Sequence, residues 1–433
     1  MIGYIWTIMT PAITSLIILS VVIILFVSRL IPSPVTAVLG CTLFVVFNVC
    51  TLEQAFSGFS NSIVLLMVGM MVVGTAMADT GLATIIGEKV STLSKHNERL
   101  FIAIAGTTAA LLSSFLSNTA VIAIFLPIIA AITQADRKMN RMNITLPVTF
   151  GAMFGGVCTL VGSTPQLTAN GILSEMTGHE LEMFDFTLPG VILFAVYMGY
   201  TMFIGYPIGK RIWGERHPIE EENGSNVYIK VKSTRKMITL SIIFLTTIIM
   251  FIGGWINVSL TSIIAALLCI ITGCTTYKNA IKKMDWSVVF ILAGCLGMAA
   301  GLKEGGAAEL LGQTLNKLLG DKVPPLMVFA VFVTMTMLIS NFITNSTAVI
   351  ITLPIALSFC MAADLNPSLF TLGIVFAANL AYSTPLANAQ TAMTLVAGYK
   401  FSDYIRYTWI LDVLVLVIII FIFPVFVPIK IFV

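Results

Sequence analysis

A chain of 433 residues has the length of about three soluble domains, yet 58% of it is hydrophobic, only 10% is charged, and its mean hydropathy is +1.00. So few ionic side chains could not cover a water-exposed surface, which excludes a soluble enzyme and places the chain among polytopic membrane proteins. A net charge of +3, from 23 basic and 20 acidic residues, is too small to point to a nucleic-acid partner.

Apolar runs of about 20 residues cross hydrocarbon as helices, because a helix satisfies every backbone N–H and C=O internally. The absence of period-two alternation argues against a barrel. Spans are predicted near 12–30, 34–51, 60–79, 145–174, 188–209, 237–254, 258–276, 286–303, 369–399 and 405–430. The first run has no charged leader or small-residue cleavage site and reads as a retained span. Two further apolar stretches, 98–133 and 323–362, are interrupted by polar residues at 113–119 and 340–347. They are predicted to be re-entrant hairpins, tolerated at membrane depth only against protein or a water-filled cavity. The amphipathic segments 81–97 and 305–322 read as interfacial arm helices. Seven cysteines lie in apolar runs without metal-type spacing and read as small core residues.

The chain then has ten spans, and the basic loop 210–236 follows the fifth. Placing that loop in the cytoplasm brings 19 of the 23 basic residues to the same side, including Arg29, Lys282 and Lys283, and leaves Lys303, Lys317, Lys322 and Lys430 outside. Both termini are then predicted outside. The halves also echo each other: Phe115 to Pro127 aligns without gaps on Phe342 to Pro354, and Ser163-Thr164-Pro165 recurs as Ser383-Thr384-Pro385. Five spans is an odd number, so the repeats 1–209 and 237–433, joined by the linker 210–236, must have opposite orientations. This is the inverted-repeat plan of secondary transporters, which places a substrate near the midplane between corresponding broken helices.

Each hairpin tip opens its second helix with N-cap residue types, Ser117-Asn118-Thr119 and Thr344-Asn345-Ser346, followed by Thr347. Orphan N–H groups and the helix dipole favour an anion there. Within the spans 145–174 and 369–399, Gly162 to Gln166 and Ser383 to Asn388 interrupt the helix around a proline, freeing carbonyls that suit a hard cation such as Na⁺. Pro127 and Pro354 read as kinks in the return helices. No Asp, Glu, Lys, Arg or His falls in the middle of a predicted span, Asp79, Asp285 and Asp412 lying toward predicted ends. That argues against a buried proton carrier and against an enzyme, which needs an activating base at depth. It also implies that an anion is held by helix ends, hydroxyls, amides and a bound cation rather than by lysine or arginine.

The paired tips, each with nine residues from its asparagine to the following proline, resemble the Ser-Asn-Thr signatures of the divalent anion:sodium symporter family, which includes dicarboxylate, citrate and sulfate permeases. The resemblance covers nearly the whole chain. It implies an all-α homodimer of the bacterial inner membrane, with a scaffold domain and an elevator-type transport domain in each protomer. Carried over by position, Ser117, Asn118, Thr119, Thr344, Asn345, Ser346 and Thr347 contact the anion, together with Ser163, Thr164, Pro165, Thr384 and Pro385. Ser117, Asn118, Gly162, Ser163, Thr344, Asn345, Ser383, Thr384 and Asn388 are implied to serve Na⁺ as coupling ion, with no other cofactor. The chain departs from the family's usual Pro-Pro-Asn after each break, carrying Thr164-Pro165-Gln166 and Pro385-Leu386-Ala387-Asn388. The expected activity is Na⁺-coupled import of a small divalent anion; the alternatives are cation-independent exchange of the anion and Na⁺/H⁺ antiport.

Overall fold

The computed structural model describes residues 10–82, 97–136, 139–214, 234–319, 323–380, 382–385 and 388–430. Most of the first predicted arm, and the linker from 215 to 233, lie outside these residues. The described chain is all-helical, and seven of its helices are long and apolar enough to cross a membrane, with shorter apolar helices among them.

The described residues begin with α1 (Pro11–Ser28), α2 (Ser33–Val46) and α3 (Ser62–Thr80). A short helix, Leu52–Ala55, precedes α3 and is started by a capping box, in which Thr51 and Gln54 satisfy each other's backbone N–H. Then come α4 (Glu98–Ser113) and α5 (Asn118–Ala135), joined by the four residues of the first tip. α4 has 16 residues, about 24 Å at a helical rise of 1.5 Å and shorter than the hydrocarbon thickness of roughly 30 Å. The predicted span 145–174 is two helices, α6 (Arg141–Gly156) and α7 (Thr164–Thr177), and α8 (Thr187–Trp213) follows with a π-turn at Thr201–Gly205.

The second half begins with α9 (Thr234–Gly253), α10 (Val258–Ile271) and α11 (Trp286–Glu304). The second arm segment is helical over α12 (Ala307–Leu319), and α13 (Pro325–Ser340) with α14 (Asn345–Ala362) forms the second hairpin. α15 (Pro367–Asn379) stops at a break, after which a short helix, Ala389–Met393, and a 3₁₀ turn carry the chain to α16 (Phe401–Phe421). α16 starts four residues before the predicted span because the Lys400 N–H donates to Asp403 Oδ2 at 2.9 Å, which caps the first turn.

The helices carrying the breaks are the most enclosed. α6 is buried from Met142 to Gly156 and α15 from Leu369 to Asn379, so neither presents a face to lipid. α4 and α5 pack on α6, while α14 packs on α12, α15 and, across the two halves, α7. α7 also lies against α11, which packs on α2. The helices that lead into both breaks are thereby sheathed in protein, the condition under which irregular backbone survives at membrane depth; residues 381, 386 and 387 of the second break lie outside the described residues.

Candidate functional site

Both tips are fixed by the same two devices. In the first, Ser117 has extended backbone at the N-cap of α5 and its Oγ accepts the Ala120 N–H at 3.3 Å, while Ser113 Oγ donates to Asn118 Oδ1 at 2.5 Å. In the second, Thr344 Oγ1 accepts the Thr347 N–H at 3.3 Å, and Ser340 Oγ shares its proton between Asn345 Oδ1 at 3.1 Å and the Ala378 carbonyl at 2.8 Å. Ser113 and Ser340 each stand five residues before their asparagine. With Oδ1 engaged as acceptor, the Nδ2 groups of Asn118 and Asn345 are left as donors.

The first break is closed by packing and by a glutamine. A Cβ on Gly156 would lie 2.0 Å from Asn118 Oδ1, and one on Gly162 would lie 2.2 Å from the Gly156 carbonyl oxygen, so only glycine lets tip and break approach this closely. Gln166 is fully buried; its Nε2 donates to the carbonyls of Val157 at 3.1 Å and Thr159 at 2.8 Å, and its Oε1 accepts Ser163 Oγ at 2.5 Å. Ser163 Oγ also lies 2.9 Å from Asn379 Oδ1, linking the first break to the end of α15 in the other half. Asn379 Nδ2 is buried without a hydrogen-bond partner.

The second break is held differently. Thr384 Oγ1 donates to the Asn341 carbonyl at 2.5 Å, and Asn388 caps the short helix by accepting the Thr391 N–H at 2.9 Å. Ser383 Oγ turns away toward α16, contacting Thr408 Oγ1 at 2.7 Å and donating to Asp412 Oδ2.

A cavity of about 830 Å³ joins these parts. Of the residues predicted for the site, it is lined by Ser117, Asn118 and Thr119 of the first tip, Thr344, Asn345 and Ser346 of the second, Gly162 to Pro165 of the first break, and Pro385 and Asn388 of the second. Thr347, Ser383 and Thr384 lie behind this surface, committed to hydrogen bonds within the protein. The N-termini of α5, α7 and α14 open on the cavity, and α7 brings orphan N–H groups there because Ser163 makes no side-chain cap. Neutral donors and three positive dipole ends suit an oxyanion, while hydroxyls, amide oxygens and break carbonyls suit a hard cation.

The lining also includes residues outside the predicted site, among them Arg29, Lys283, Asp285 and Asn379. Arg29 Nη2 donates to the Phe342 carbonyl at 3.1 Å, and Lys283 Nζ pairs with Asp79 Oδ1 at 2.6 Å. Basic side chains therefore do reach the cavity, contrary to the expectation from charge placement. Asp412 is a second correction. It stands near the middle of the 21-residue α16 rather than toward a span end, because the cap at Lys400 shifts that helix. Nothing local in the sequence marks its contact with Ser383, which is 29 residues away.

The sequence profile of the citrate transporter family matches residues 21–350. An uncharacterized transporter of Haemophilus influenzae is 25% identical over 94% of this chain and 90% of its own length. The sodium-dependent dicarboxylate transporter SdcS of Staphylococcus aureus is 23% identical over 86% of this chain and 78% of its own. Among solved structures, the YdaH transporter of Alcanivorax borkumensis superposes with a TM-score of 0.65 at 14% identity, covering 86% of each chain. MtrF of Neisseria gonorrhoeae does so with a TM-score of 0.63 at 12% identity, covering 86% of this chain and 83% of its own.

Proposed function

Because the chain belongs to the citrate transporter family, we propose that it is a secondary active importer of a small divalent anion, a dicarboxylate such as succinate or malate, or else citrate or sulfate, coupled to Na⁺. The observation that carries the reading is the pair of matched tips, in which Ser113 holds Asn118 and Ser340 holds Asn345 at one cavity. The Nδ2 donors of the two asparagines, with the helix N-termini beside them, take the anion's oxygens. Na⁺ occupies the oxygen-rich positions where each tip meets its break, offsetting part of the anion's negative charge and ordering the loops that contact it. The Na⁺ dependence of SdcS accords with this.

The two halves are inverted repeats, and the tips and breaks travel together as the transport domain of an elevator against a scaffold of spans 12–79 and 237–303, which hold α1 to α3 and α9 to α11, within a homodimer of the bacterial inner membrane. The cavity reaches Arg29, Lys283 and Asp285, which belong to the side carrying most of the basic residues. We read that side as cytoplasmic and the conformation as inward-open. A second reading, anion exchange indifferent to Na⁺, is favoured by the engagement of the Ser383 and Thr384 hydroxyls within the protein.

Uptake of labelled succinate, citrate and sulfate into proteoliposomes, with and without an inward Na⁺ gradient, tests both. Na⁺-driven accumulation of one of them is expected. Counterflow unaffected by Na⁺ would favour exchange, and no flux of any such anion would overturn the substrate assignment.

A further inference from the structure

The carboxylate of Asp412, which contacts the second break through Ser383, takes no part in the proposed anion site. One oxygen, Oδ2, accepts from Ser383 and, at 3.4 Å, from Thr408 Oγ1. The other, Oδ1, is buried with no hydrogen-bond partner. No lysine or arginine among the described residues pairs with it; its electrostatic neighbours are the phenols of Tyr200 and Tyr382. An ionised carboxylate halfway along a membrane helix is strongly unfavourable unless a positive charge meets it. The corresponding serine of the first break, Ser163, faces only the neutral amide oxygens of Gln166 and Asn379. The halves therefore differ in what the matched serine meets, an ionisable carboxylate in one and neutral amides in the other.

We propose that Asp412, with the hydroxyls of Ser383 and Thr408, forms a monovalent-cation site on the side of the second break that faces α16, behind the anion cavity. This deepens the Na⁺-coupled reading, and rests on it, by assigning the charge that holds the ion. Each hydroxyl has two acceptor lone pairs, and those that now donate to the carboxylate can turn them to a cation. Carboxylate and hydroxyl oxygens are hard donors that suit Na⁺. Ser383 joins the ion to the break, so filling the site orders the backbone leading to Thr384, which in turn holds the carbonyl of Asn341 in the second tip.

The test needs no transported substrate. The purified protein is titrated with NaCl against choline chloride at constant ionic strength, and its melting temperature is followed, since an ion that binds the folded state raises it. The wild type is expected to be stabilised by Na⁺. Asp412→Asn keeps the shape and mimics a permanently protonated acid; it is expected to need at least tenfold more Na⁺ for half the effect, with no lower melting temperature in choline, whereas Asp412→Glu stays within a few-fold of wild type. A purely structural role would instead lower the melting temperature in choline and leave the Na⁺ midpoint in place. Should Asp412→Asn not fold, Thr408→Val, which leaves the carboxylate intact, is expected to raise the midpoint three- to tenfold. A wild-type Na⁺ response in Asp412→Asn, or in Thr408→Val where that variant stands in, overturns this site alone when anion uptake is Na⁺-driven. A wild type that shows neither Na⁺ stabilisation nor Na⁺-driven uptake overturns the site and the coupling together.

Discussion

The first break is built on glycine and glutamine, the second on alanine and aspartate. Where α6 meets its tip the residues are Gly155 and Gly156, packed so closely that a Cβ would strike Ala110 and Asn118; the last turn of α15 carries Ala377 and Ala378 instead, and Ser340 reaches the Ala378 carbonyl at 2.8 Å. Gln166 occupies the interior of the first break with three hydrogen bonds, while the second turns its serine out to a charge. The two halves thus share the tip and differ behind it. In the proposed reading, features common to both halves grip one anion, and features present in one half give the two cation positions different strengths.

The largest effects should fall on the shared part. Asn118→Ala and Asn345→Ala each remove a donor to a charged ligand, worth about 1.5–3 kcal/mol, or roughly ten- to hundredfold in affinity. Because the asparagine also seats the tip, initial uptake should fall about 100-fold or more in each variant, with the protein still folded by size-exclusion chromatography. Near-normal uptake in either one would break the equivalence of the tips.

Gln166→Leu probes the part found only in the first half. It orphans the buried carbonyl of Val157 and removes one of two donors to that of Thr159, which keeps the Gly162 N–H at 3.3 Å, for a loss of about 2–4 kcal/mol: roughly 1–3 for the orphaned carbonyl and about 1 for the other hydrogen bond. Thermal unfolding should shift down by several degrees and the apparent affinity for Na⁺ should weaken. Gly156→Ala is the next smaller change. Asn118 must yield to the new methyl group, an overpacking cost of about 1–3 kcal/mol. The reverse exchange in the other half, Ala378→Gly, should alter melting by no more than the helix-propensity difference of about 1 kcal/mol. Equal effects at the two positions would show that the glycine is not what sets the first tip's approach.

These differences explain which parts of the site were legible in the sequence. Helix lengths, tips and breaks follow from local chemistry: apolar runs, cap residues such as Ser117 and Thr344, and prolines at 165 and 385. The repeat Phe115 to Pro127 on Phe342 to Pro354 carries the tip assignment because both copies keep the same hydrogen-bonding residues. What the repeat hides is what the copies do not share. Gln166 reads in sequence only as a departure from a family motif, although it is the plug of the first break. Asp412 was assigned by counting from a span edge that Lys400 and Asp403 then moved, and its partner Ser383 lies on another element. Arg29 belongs by charge to a loop, but the chain places its backbone in the left-handed region at φ 53° and sends the guanidinium to a tip 313 residues away. Asn379 lies inside the predicted span 369–399 and only the structure puts it at a helix end, where its role depends on contact with Ser163 in the other half.

The smallest expected effect concerns how each tip meets the rest of the protein. Phe115 of the first tip packs edge-on against Phe244 of α9, with ring centroids 5.8 Å apart. Phe342, at the matching position, is 67% exposed, and its carbonyl is held by Arg29 from the turn between α1 and α2. One tip is thus held by an apolar contact and the other by an exposed charged hydrogen bond, which salt and water weaken to about 1 kcal/mol or less. Removing it by Arg29→Ala should shift the balance between inward-open and other conformations by no more than about fivefold. That shift can be read from the rate at which a membrane-impermeant maleimide labels a cysteine introduced at Ser346 in a cysteine-free background, and it should shrink as ionic strength rises. If Arg29→Ala instead abolished uptake while leaving labelling unchanged, the guanidinium would be a ligand of the anion, and the grip on the substrate would no longer be confined to the tips and breaks.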